Sequence, residues 1–418
     1  MKPLLLSHGD IAGGAYRAAF RLNQALRQSG IDSRMRVGIK RSDLHAVDGP
    51  EGNLQKAAGI IRYRLEAQLM HLQPSPNLIR SPACLRSGLV SRLNAIDADV
   101  LNLHWICDGF LSVEDIGRLI KPLVWTFHDM WPFSGSEHYG DDGPAARWRG
   151  GYNANNRLTG HKGLDIDRWV WNRKRRAWRY PMQIVTPSRW LAECVKGSYI
   201  MHNWPVTVIP NLLDCRQFQP WPKSFACKVF GFPPDVVLVL FGAMGGINDI
   251  RKGWDLLQPA LARIASERTG VNSVIFGQSE PVNPPNLGLP LHWMGHITDE
   301  ATLALLYSAA DVMIVPSRQE NLPQSGTEAQ ACGCPVVAFN CTGLPDVVEH
   351  RVTGYLAMPY DSDDLANGIR WVIEDKERHA FLSSAARDRA LRLWAPEVVV
   401  PDYKAIYETA CREKREQR

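Results

Sequence analysis

Short apolar runs recur along the chain, and each ends in polar or turn-forming residues. Runs of about four to six apolar residues are typical of strands that a parallel sheet buries on both faces. Helical periodicity lies between many of them, as in residues 15–30, where Ala18, Leu22 and Ala25 share one face. The runs form two series, 3–10, 99–105, 122–129, 182–188 and 206–211, then 236–243, 272–278, 291–296, 311–317 and 334–340. Strands that alternate with helices predict doubly wound parallel sheets.

The two series predict two Rossmann-like α/β domains that face each other across a cleft. A chain of 418 residues is long enough for such a pair, and the series divide near residues 205–235. The stretch 130–180 has little strand pattern and is interpreted as a long excursion within the first domain. Because ligands of such sheets bind beyond the carboxyl ends of the strands, functional residues are expected where strands end.

The composition is that of an ordinary globular protein, with 45% apolar and 22% charged residues. A formal charge of +5 does not require a nucleic-acid partner. The N-terminal apolar stretch is too short for a signal peptide, and no window approaches about 18 consecutive apolar residues. We therefore predict a cytoplasmic protein, and peripheral contact with the inner face of the cytoplasmic membrane stays open as an alternative.

No motif predicts a metal site. The nine cysteines include one C-x-C pair, Cys332 and Cys334, without the second pair or the histidines of a zinc site. Buried thiols are the alternative interpretation of that pair. The acidic runs 165–167 and 361–364 are interpreted as solvated loop or cap residues. We predict neither a metal nor a cofactor.

Two glycine pairs follow predicted strands. Gly13 and Gly14 open the first helix, where glycines let a ligand approach the backbone and a helix N-terminus favours anions. A tight strand-to-helix turn is an equally good interpretation. Gly245 and Gly246 form a second loop of this kind after the strand 236–243.

Arg251 and Lys252 stand where the next helix begins. Two cations at a helix start are unfavourable with the helix macrodipole unless an anion is also present. The pair therefore favours a phosphate ligand. The alternative is a solvated pair whose aliphatic stems cover Trp254.

Two glutamates eight positions apart, Glu320 and Glu328, follow the strand 311–317. Glu320 is expected in the loop beyond the strand, and Glu328 in the first turns of a short helix that ends at Gly333. Carboxylates accept hydrogen bonds from the vicinal hydroxyls of a ribose or a hexose. We interpret the two as part of a sugar-nucleotide site, whereas the alternative is the chance pair that a surface helix often carries.

The motifs around these residues resemble the signature of glycosyltransferase family 4. The matching segments are RKGWDLL (251–257), VIFGQ (274–278), DVMIVPS (311–317), the E-x7-E pair and GLPDVVEHRVTGYL (343–356). In the N-terminal half, GGAYRAAFRLNQAL (13–26), NLHWI (102–106) and VWTFHDMWPFSG (124–135) are similar to the colanic-acid and exopolysaccharide glycosyltransferases.

The resemblance implies a fold and a separate role for each of its two domains. The fold is GT-B, with two facing Rossmann-like domains. Residues 1–205 would form the acceptor domain, and a C-terminal helix within 396–418 would return to it. Residues 206–395 would form the nucleotide-sugar domain. The family needs no metal and transfers a sugar with retention of its configuration.

The resemblance also implies three catalytic residues. Glu320 would hold the hydroxyls of the donor hexose. Lys252 would stabilise the negative charge that develops on the diphosphate when the glycosidic bond breaks. His128, at the end of the strand 122–129, would face the donor sugar from the first domain.

Further residues would bind the donor. The backbone amides of Asn321 and Leu322 would assist Glu320, Glu328 would bind the nucleotide ribose, and Arg251 would assist Lys252. Ile297 would contact the base through its main chain. Gly13 and Gly14 would let the first helix approach the diphosphate.

Three positions depart from the family pattern. Ala243 stands where many members have an arginine. Pro323, in Asn321-Leu322-Pro323, stands in place of a usual Gly-Phe-Gly and cannot donate an amide hydrogen. The segment 135–157 has no cysteine, although that region is cysteine-rich in the most similar branch.

The segment 167–181 interleaves three tryptophans with six basic residues. This pattern suits an interfacial helix at an anionic membrane or a grip on a lipid-linked acceptor, and it would also suit nucleic-acid stacking. The alternative is a helix whose tryptophans are buried in the core and whose basic face is exposed to solvent.

Together these features predict a retaining hexosyltransferase. Its co-substrate would be a nucleotide diphosphate sugar, and its acceptor a surface-polysaccharide intermediate, free or lipid-linked. The alternatives are a sugar-nucleotide epimerase of the same fold, and a non-catalytic nucleic-acid-binding or membrane-binding protein. Nucleic acid is not a predicted partner of the enzyme. A dehydrogenase is disfavoured because no strand precedes a full G-x-G-x-x-G with an acid about 20 residues on.

Overall fold

A computed structural model describes residues 1–75, 79–233, 235–242 and 248–416. The predicted loop glycines Gly245 and Gly246, and the departure at Ala243, lie outside these ranges.

The strands are β1 (Pro3–Gly9), β2 (Arg34–Ile39), β3 (Val47–Asp48), β4 (Val100–Leu103), β5 (Leu123–Thr126), β6 (Gln183–Thr186), β7 (Val206–Val208), β8 (Val237–Gly242), β9 (Val271–Phe276), β10 (Leu291–Trp293), β11 (Val312–Val315), β12 (Val336–Phe339) and β13 (Gly354–Ala357). The helices are α1 (Gly14–Gln28), α2 (Gly52–Met70), α3 (Val90–Ala95), α4 (Val113–Ile116), α5 (Arg147–Gly150), α6 (Ile166–Ala177), α7 (Arg189–Lys196), α8 (Lys223–Phe230), α9 (Trp254–Glu267), α10 (Glu300–Ala309), α11 (Gln324–Ala331), α12 (Leu344–Val347), α13 (Ser362–Ile373), α14 (Lys376–Leu393) and α15 (Pro396–Glu416).

The chain folds into two compact units, residues 1–210 with 399–418, and residues 211–398. The sheet of the first unit has the strand order β3-β2-β1-β4-β5-β6-β7, and all of its pairs are parallel. The strand order reverses between β1 and β4. Such a reversal opens a crevice at the carboxyl ends of the two strands, where ligands of these folds bind.

The second unit has the strand order β10-β9-β8-β11-β12-β13, again with parallel pairs. Its order reverses between β8 and β11. The interior strands are buried almost completely, and this explains their continuous apolar runs. The prediction of two doubly wound α/β domains is confirmed.

Three strands were not predicted from the sequence because they lack a long apolar run. In β2, arginines alternate with Met35 and Val37, and only these two apolar side chains are buried. The edge strand β3 has two residues. In β13 the two central side chains are half-buried, so its pattern is weak.

The C-terminal helix α15 packs on the first unit. The hydroxyl of Tyr403 lies 3.2 Å from Oγ1 of Thr126. The buried hydroxyl of Tyr407 donates to Oδ1 of Asn102 at 2.7 Å. Since Thr126 ends β5 and Asn102 lies within β4, the last helix covers the centre of the first sheet.

The basic tryptophan-rich segment forms α6 and the turn after it. Trp171 and Trp178 are 4% exposed, and Lys174 is fully buried. The Lys174 ammonium donates to the carbonyls of Trp131, Ser134 and Gly135. The alternative with core tryptophans therefore describes most of this segment, although Trp169 stays 43% exposed.

Within the described ranges, no helix combines the length and the apolar character needed to cross a membrane.

Candidate active site

The site predicted in the second unit lies at the β8–β11 reversal. Ile314 of β11 pairs with Phe241 of β8, so the two strands end side by side. A short 3-10 turn, Ile250–Lys252, leads from the β8 side into α9. The segment 316–323 follows β11 and leads into α11. Residues from both loops therefore meet at one edge of the sheet.

Lys252 and Glu320 form an ion pair across these two loops. Nζ of Lys252 donates to Oε1 of Glu320 at 2.5 Å. The lysine side chain is 25% exposed and the glutamate side chain 11% exposed. Because the pair is partly withdrawn from water, its attraction is screened less than that of a surface pair. The structure thus joins two of the three predicted catalytic residues.

The backbone of the 3-10 turn is bonded to the loop after β11. The amide of Arg318 donates to the carbonyl of Arg251 at 2.7 Å. Gly253 has φ = +69°, and a Cβ added there would lie 1.8 Å from the carbonyl oxygen of Pro316. The glycine is therefore needed both for its left-handed backbone and for the close approach of the loops.

Arg251 contacts a carboxylate of its own turn. Its guanidinium donates to Oδ2 of Asp249 at 2.5 Å, and Asp249 also caps the turn by accepting from the Arg251 amide. The predicted cationic pair, Arg251 and Lys252, is thus balanced by one acid each. This arrangement removes much of the unfavourable charge that two cations would bring to the start of α9.

The backbone around Glu320 is fixed by the segment before α12. Its amide donates to Oγ1 of Thr342 at 3.1 Å, and its carbonyl accepts from the amide of Gly343 at 2.9 Å. A Cβ at Gly343 would lie 1.6 Å from the carbonyl oxygen of Asn321. Asn321 and Leu322 are each 6% exposed. The predicted sugar-binding loop is therefore tightly packed.

Glu328 lies in α11 and is 2% exposed. Its Oε2 accepts a hydrogen bond from the hydroxyl of Tyr307 in α10 at 2.9 Å. The structure thus places the second glutamate of the E-x7-E pair beside Tyr307, whereas the first contacts Lys252. The proposed ribose role of Glu328 stays a prediction.

Ile297 is half-buried and packs against the core of the second unit. It follows β10, which lies two strands away from β8 in the sheet. The preceding loop is held by a hydrogen bond from the Gly277 amide to the Gly295 carbonyl at 2.8 Å. Ile297 is therefore on the same edge as the Lys252–Glu320 pair.

In the first unit, Gly13 and Gly14 lie at the β1–β4 reversal. Gly13 is the N-cap of α1 and has φ = +117°, a conformation that favours glycine. A Cβ added at Gly14 would meet no atom within 4 Å.

His128 follows β5 in this same unit and contacts another histidine. Its Nε2 lies 3.0 Å from Nδ1 of His104, which follows β4. Burial lowers the pKa of His128 to about 4, although the charge of Asp129 opposes this shift. His128 is therefore neutral at physiological pH.

Asp129, the next residue, is surrounded by hydrogen-bond donors. Its Oδ2 lies 2.7 Å from Nδ1 of His138 and accepts from Nε1 of Trp105 at 2.9 Å. Its Oδ1 accepts from the Trp131 amide at 2.9 Å. Burial alone would raise the pKa of Asp129, but the interaction with His138 and these hydrogen bonds lower it. Asp129 is a structural anion that holds the loop after β5.

His104, Tyr307 and Thr342 were not among the residues predicted from the sequence. His104 lies near the end of the predicted strand 99–105, as His128 does in 122–129, so the rule that identified His128 could have found it. Tyr307 and Thr342 gave no such signal, because one lies inside an apolar helix and the other in a plain loop. Only the fold brings them to the two glutamates.

The fold defines an α/β protein of two Rossmann-like domains. Residues 12–217 match the family model for Glycosyltransferase Family 4, and residues 246–389 match the model for Glycosyl transferases group 1. A D-inositol 3-phosphate glycosyltransferase of Thermobispora bispora is 30% identical over 312 residues, which cover 70% of this chain and 67% of that protein. The chain therefore belongs to glycosyltransferase family 4, as its motifs predicted.

Other relatives match over shorter stretches. The D-inositol 3-phosphate glycosyltransferase of Saccharomonospora viridis is 32% identical over 206 residues, or 44% of this chain and 46% of that protein. The counterpart from Mycolicibacterium smegmatis is 33% identical over 202 residues, or 46% and 45%. The chain thus spans about half the length of such relatives.

Solved structures share the fold over the whole chain. Sucrose-phosphate synthase from Thermosynechococcus elongatus has a TM-score of 0.67 at 19% identity and covers 100% of this chain and 99% of its own. Anabaena HepE in complex with UDP-glucose has a TM-score of 0.65 at 19% identity, with 98% and 99% covered.

Proposed function

We propose that the protein is a retaining hexosyltransferase that uses a nucleotide diphosphate sugar. The observation that supports this most is the Lys252–Glu320 pair at the carboxyl ends of β8 and β11. Family membership makes glycosyl transfer the first activity to test. The pair supplies one cation for phosphate and one carboxylate for hydroxyls at a single edge.

Lys252 and Glu320 have enough hydrogen-bonding capacity to bind the sugar nucleotide while they remain paired with each other. A lysine ammonium has three hydrogens, so one bond to Glu320 leaves two for phosphate oxygens. Glu320 uses Oε1 for Lys252 and for the hydroxyl of Ser317, at 3.3 Å. A carboxylate has about four lone-pair sites on its two oxygens, so it can also accept from sugar hydroxyls.

In the proposed reaction, the bond between the anomeric carbon and the diphosphate oxygen breaks while the acceptor oxygen bonds to that carbon on the same face. The acceptor's hydroxyl proton passes to an oxygen of the departing diphosphate. Lys252, with Arg251 beside it, stabilises the charge that develops on that group. No protein nucleophile is required.

The donor sugar and the acceptor are proposed only as classes. The HepE complex makes UDP-glucose the first donor to test. The N-terminal motifs favour a surface-glycan intermediate, free or lipid-linked, as acceptor. The relatives named D-inositol 3-phosphate glycosyltransferases add inositol 3-phosphate to the acceptors worth testing.

A lipid-linked acceptor would require contact with a membrane surface, and α2 is the element that suits it best. Leu54, Ile61 and Leu65 lie on one side of α2 and are 88%, 56% and 56% exposed. The only carboxylate of the helix, Glu66, is 3% exposed and accepts from two backbone amides, whereas Lys56 and Arg64 are exposed. Exposed apolar and cationic residues without exposed acids favour an anionic phospholipid surface.

The test uses UDP-, GDP- and dTDP-hexoses, first alone and then with the candidate acceptors. The expected result is slow hydrolysis of one donor alone and faster transfer with an acceptor, and NMR of the product should show the anomeric configuration of the donor. Glu320→Gln should abolish both reactions. Inversion of the configuration would contradict the proposed mechanism. Conversion of the donor to an epimeric sugar nucleotide would replace the proposal with the epimerase, and no turnover of any donor would contradict both.

A further inference from the structure

One side chain, that of Arg318, joins the two loops that carry Lys252 and Glu320. Its guanidinium makes a bidentate contact with Asp255 in the first turn of α9, with Nη1 donating to Oδ1 at 2.8 Å and Nη2 to Oδ2 at 2.7 Å. Nη1 also donates to the carbonyl of Ile250, in the 3-10 turn, at 2.7 Å. Arg318 itself lies in the loop after β11, so three segments of the second unit meet at its side chain.

The partners of Arg318 lie on both sides of Lys252 along the chain. Ile250 precedes the lysine by two positions, and Asp255 follows it by three. On the other loop, Glu320 follows Arg318 by two positions. The Arg318 side chain therefore influences how the turn that carries Lys252 is oriented relative to the loop that carries Glu320.

The guanidinium adds a contact of a different kind from the backbone bond between these loops. The Arg318 amide donates to the Arg251 carbonyl and holds the loops together at one point. Two parallel hydrogen bonds in one plane define an orientation as well as a distance. A lysine ammonium is a point charge without this planar geometry. The orientation of the turn should therefore depend on an arginine, and not only on a positive charge, at position 318.

The Arg318–Asp255 pair is expected to contribute little to folding. The arginine side chain is 28% exposed and the aspartate side chain 52% exposed. Water screens ion pairs at such positions, so most of them add little to stability. The hydrogen bonds from Arg318 lower the pKa of the Asp255 carboxyl, which stays an anion at the start of α9. We therefore expect the second unit to stay folded when Arg318 is replaced.

We propose that Arg318 is a positioning residue that sets the orientation of Lys252 relative to Glu320 through Asp255 and Ile250. Its consequence for catalysis rests on the proposed function, in which the lysine binds the diphosphate and the glutamate binds the hexose of one donor. A misplacement of about 1 Å can cost about 100-fold in rate. Replacement of Arg318 should lower kcat and leave the KM for the donor nearly unchanged, because both binding side chains remain.

The experiment compares wild type with Arg318→Lys, Arg318→Met and Asp255→Asn. Lysine keeps the charge without the planar contact, and methionine keeps only the aliphatic stem. Asparagine keeps the volume of Asp255 but only one acceptor oxygen. The kcat and KM are measured for the nucleotide hexose that wild type turns over. Amide hydrogen exchange of the segments 248–257 and 316–322 is measured by mass spectrometry without substrate.

Arg263→Met is the matched control. Arg263 lies in α9 as well, and its side chain is 34% exposed. It also bonds to carboxylates, those of Glu267 and Asp363, both at 2.9 Å. The control therefore removes an arginine of similar exposure from the same helix, away from the turn that carries Lys252.

Hydrogen exchange of both segments should be faster in Arg318→Met than in wild type, and unchanged in Arg263→Met. The kcat should fall roughly 10- to 100-fold in Arg318→Lys and in Arg318→Met, with a nearly unchanged KM and a urea midpoint close to that of Arg263→Met. Asp255→Asn should also lower kcat. The double variant Asp255→Asn with Arg318→Met should be no slower than the slower single variant, because the two residues act as one contact.

Unchanged hydrogen exchange in Arg318→Met would overturn the proposal. So would wild-type kcat in Arg318→Lys, which would assign Arg318 a role by charge alone. Losses that multiply in the double variant would show that Arg318 acts independently of Asp255, and would also overturn it. Because hydrogen exchange needs no turnover, faster exchange in a protein without transferase activity would contradict the proposed function and still confirm that Arg318 orients the two loops.

Discussion

Lys252 and Glu320 are 68 positions apart in the sequence and meet at 2.5 Å between Nζ and Oε1. The contact joins the two loops of the β8–β11 reversal, which is where a doubly wound sheet binds its ligand. In the proposed function, this ion pair has two roles that experiments can separate. It stabilises the loops, and it presents charge to the substrate.

Lys252→Ala should lower kcat by about 10²- to 10³-fold, because it removes a charge that stabilises the departing diphosphate. The cost in stability should be about 1–3 kcal/mol, since Glu320 loses its partner in a partly buried place. Transfer rates and urea unfolding measure the two effects. Lys228→Ala, at an exposed lysine of α8, is the matched control and should change neither. Full activity in Lys252→Ala would remove Lys252 from the mechanism.

Gly253→Ala should destabilise the second unit by more than Gly231→Ala. Both glycines have φ near +70°, so both substitutions carry the same backbone strain of about 1 kcal/mol. A Cβ at Gly231 meets nothing within 4 Å, whereas a Cβ at Gly253 would lie 1.8 Å from the Pro316 carbonyl. The two loops would have to separate in Gly253→Ala. Denaturant midpoints should rank the variants, and equal midpoints would contradict the close approach.

Tyr307→Phe should weaken donor binding with little loss of kcat. The substitution removes the hydroxyl that donates to Oε2 of Glu328 and leaves a buried carboxylate with one donor fewer. We expect a KM for the donor several-fold higher and a loss of stability of about 1–3 kcal/mol. Tyr355→Phe removes a hydroxyl–carboxylate bond to Asp364 elsewhere in the unit and serves as control. An unchanged KM in Tyr307→Phe would speak against a donor role for Glu328.

Glu137 should make the stability of the first unit depend on pH. Burial, and then the charge of Asp167, raises the pKa of Glu137 to about 7 from the ordinary value of 4.5. Between these values the folded state keeps a proton that the unfolded state releases. The contribution of Glu137 to stability should therefore fall as the pH rises from about 4.5 to 7 and then level off, by about 3 kcal/mol in total. The buried His128, whose pKa is lowered to about 4, adds a slope of opposite sign, so the contribution of Glu137 is read from the difference between wild type and a variant of this residue.

Glu137→Gln should remove that slope, because glutamine cannot titrate and can still accept from the hydroxyl of Tyr152. Urea unfolding at pH 5, 6 and 7 compares the variant with wild type and with Glu193→Gln, at an exposed residue of α7. Measurements stay at or below pH 7 because burial lowers the pKa of Lys174 to about 7, which adds a slope of opposite sign above that pH. Parallel curves for wild type and Glu137→Gln would refute the prediction.

Leu54→Glu with Ile61→Glu should reduce binding to vesicles that contain anionic phospholipid. Each substitution removes an exposed apolar side chain and adds a negative charge to α2, so we expect at least a tenfold loss in sedimentation assays. Phe225→Glu with Val229→Glu alters a similar exposed apolar pair in α8, 49% and 52% exposed, and should have no effect. Equal binding by both double variants, or none by wild type, would exclude α2 as a membrane contact.

The sequence was most informative where a residue's role depends on its neighbours along the chain. The strands with long apolar runs were predicted, and so was the helix at residues 15–30, which the structure forms as Gly14–Gln28. Strand β2 was missed because only Met35 and Val37 face the core. The short helix that carries Glu328 was predicted, and the structure forms it as Gln324–Ala331, just before Gly333.

The site could be predicted only in part, because its decisive contacts join distant positions. Lys252 and Glu320 were predicted as separate ligands of a diphosphate and a hexose, and their direct bond was not foreseen. The tryptophans of the segment 167–181 show the converse case, in which residues close in sequence left two interpretations open. Their spacing among arginines fits a membrane surface and a core equally well, and only the packing of Trp171 and Trp178 distinguishes the two.

The return of α15 to the first sheet affects how the protein can be made. Thr126 and Asn102 form hydrogen bonds with tyrosines 277 and 305 positions further along the chain. During synthesis, the centre of that sheet therefore stays uncovered until the chain has been translated through Tyr403 and Tyr407. The first unit can be completed only after all of the second unit has been translated.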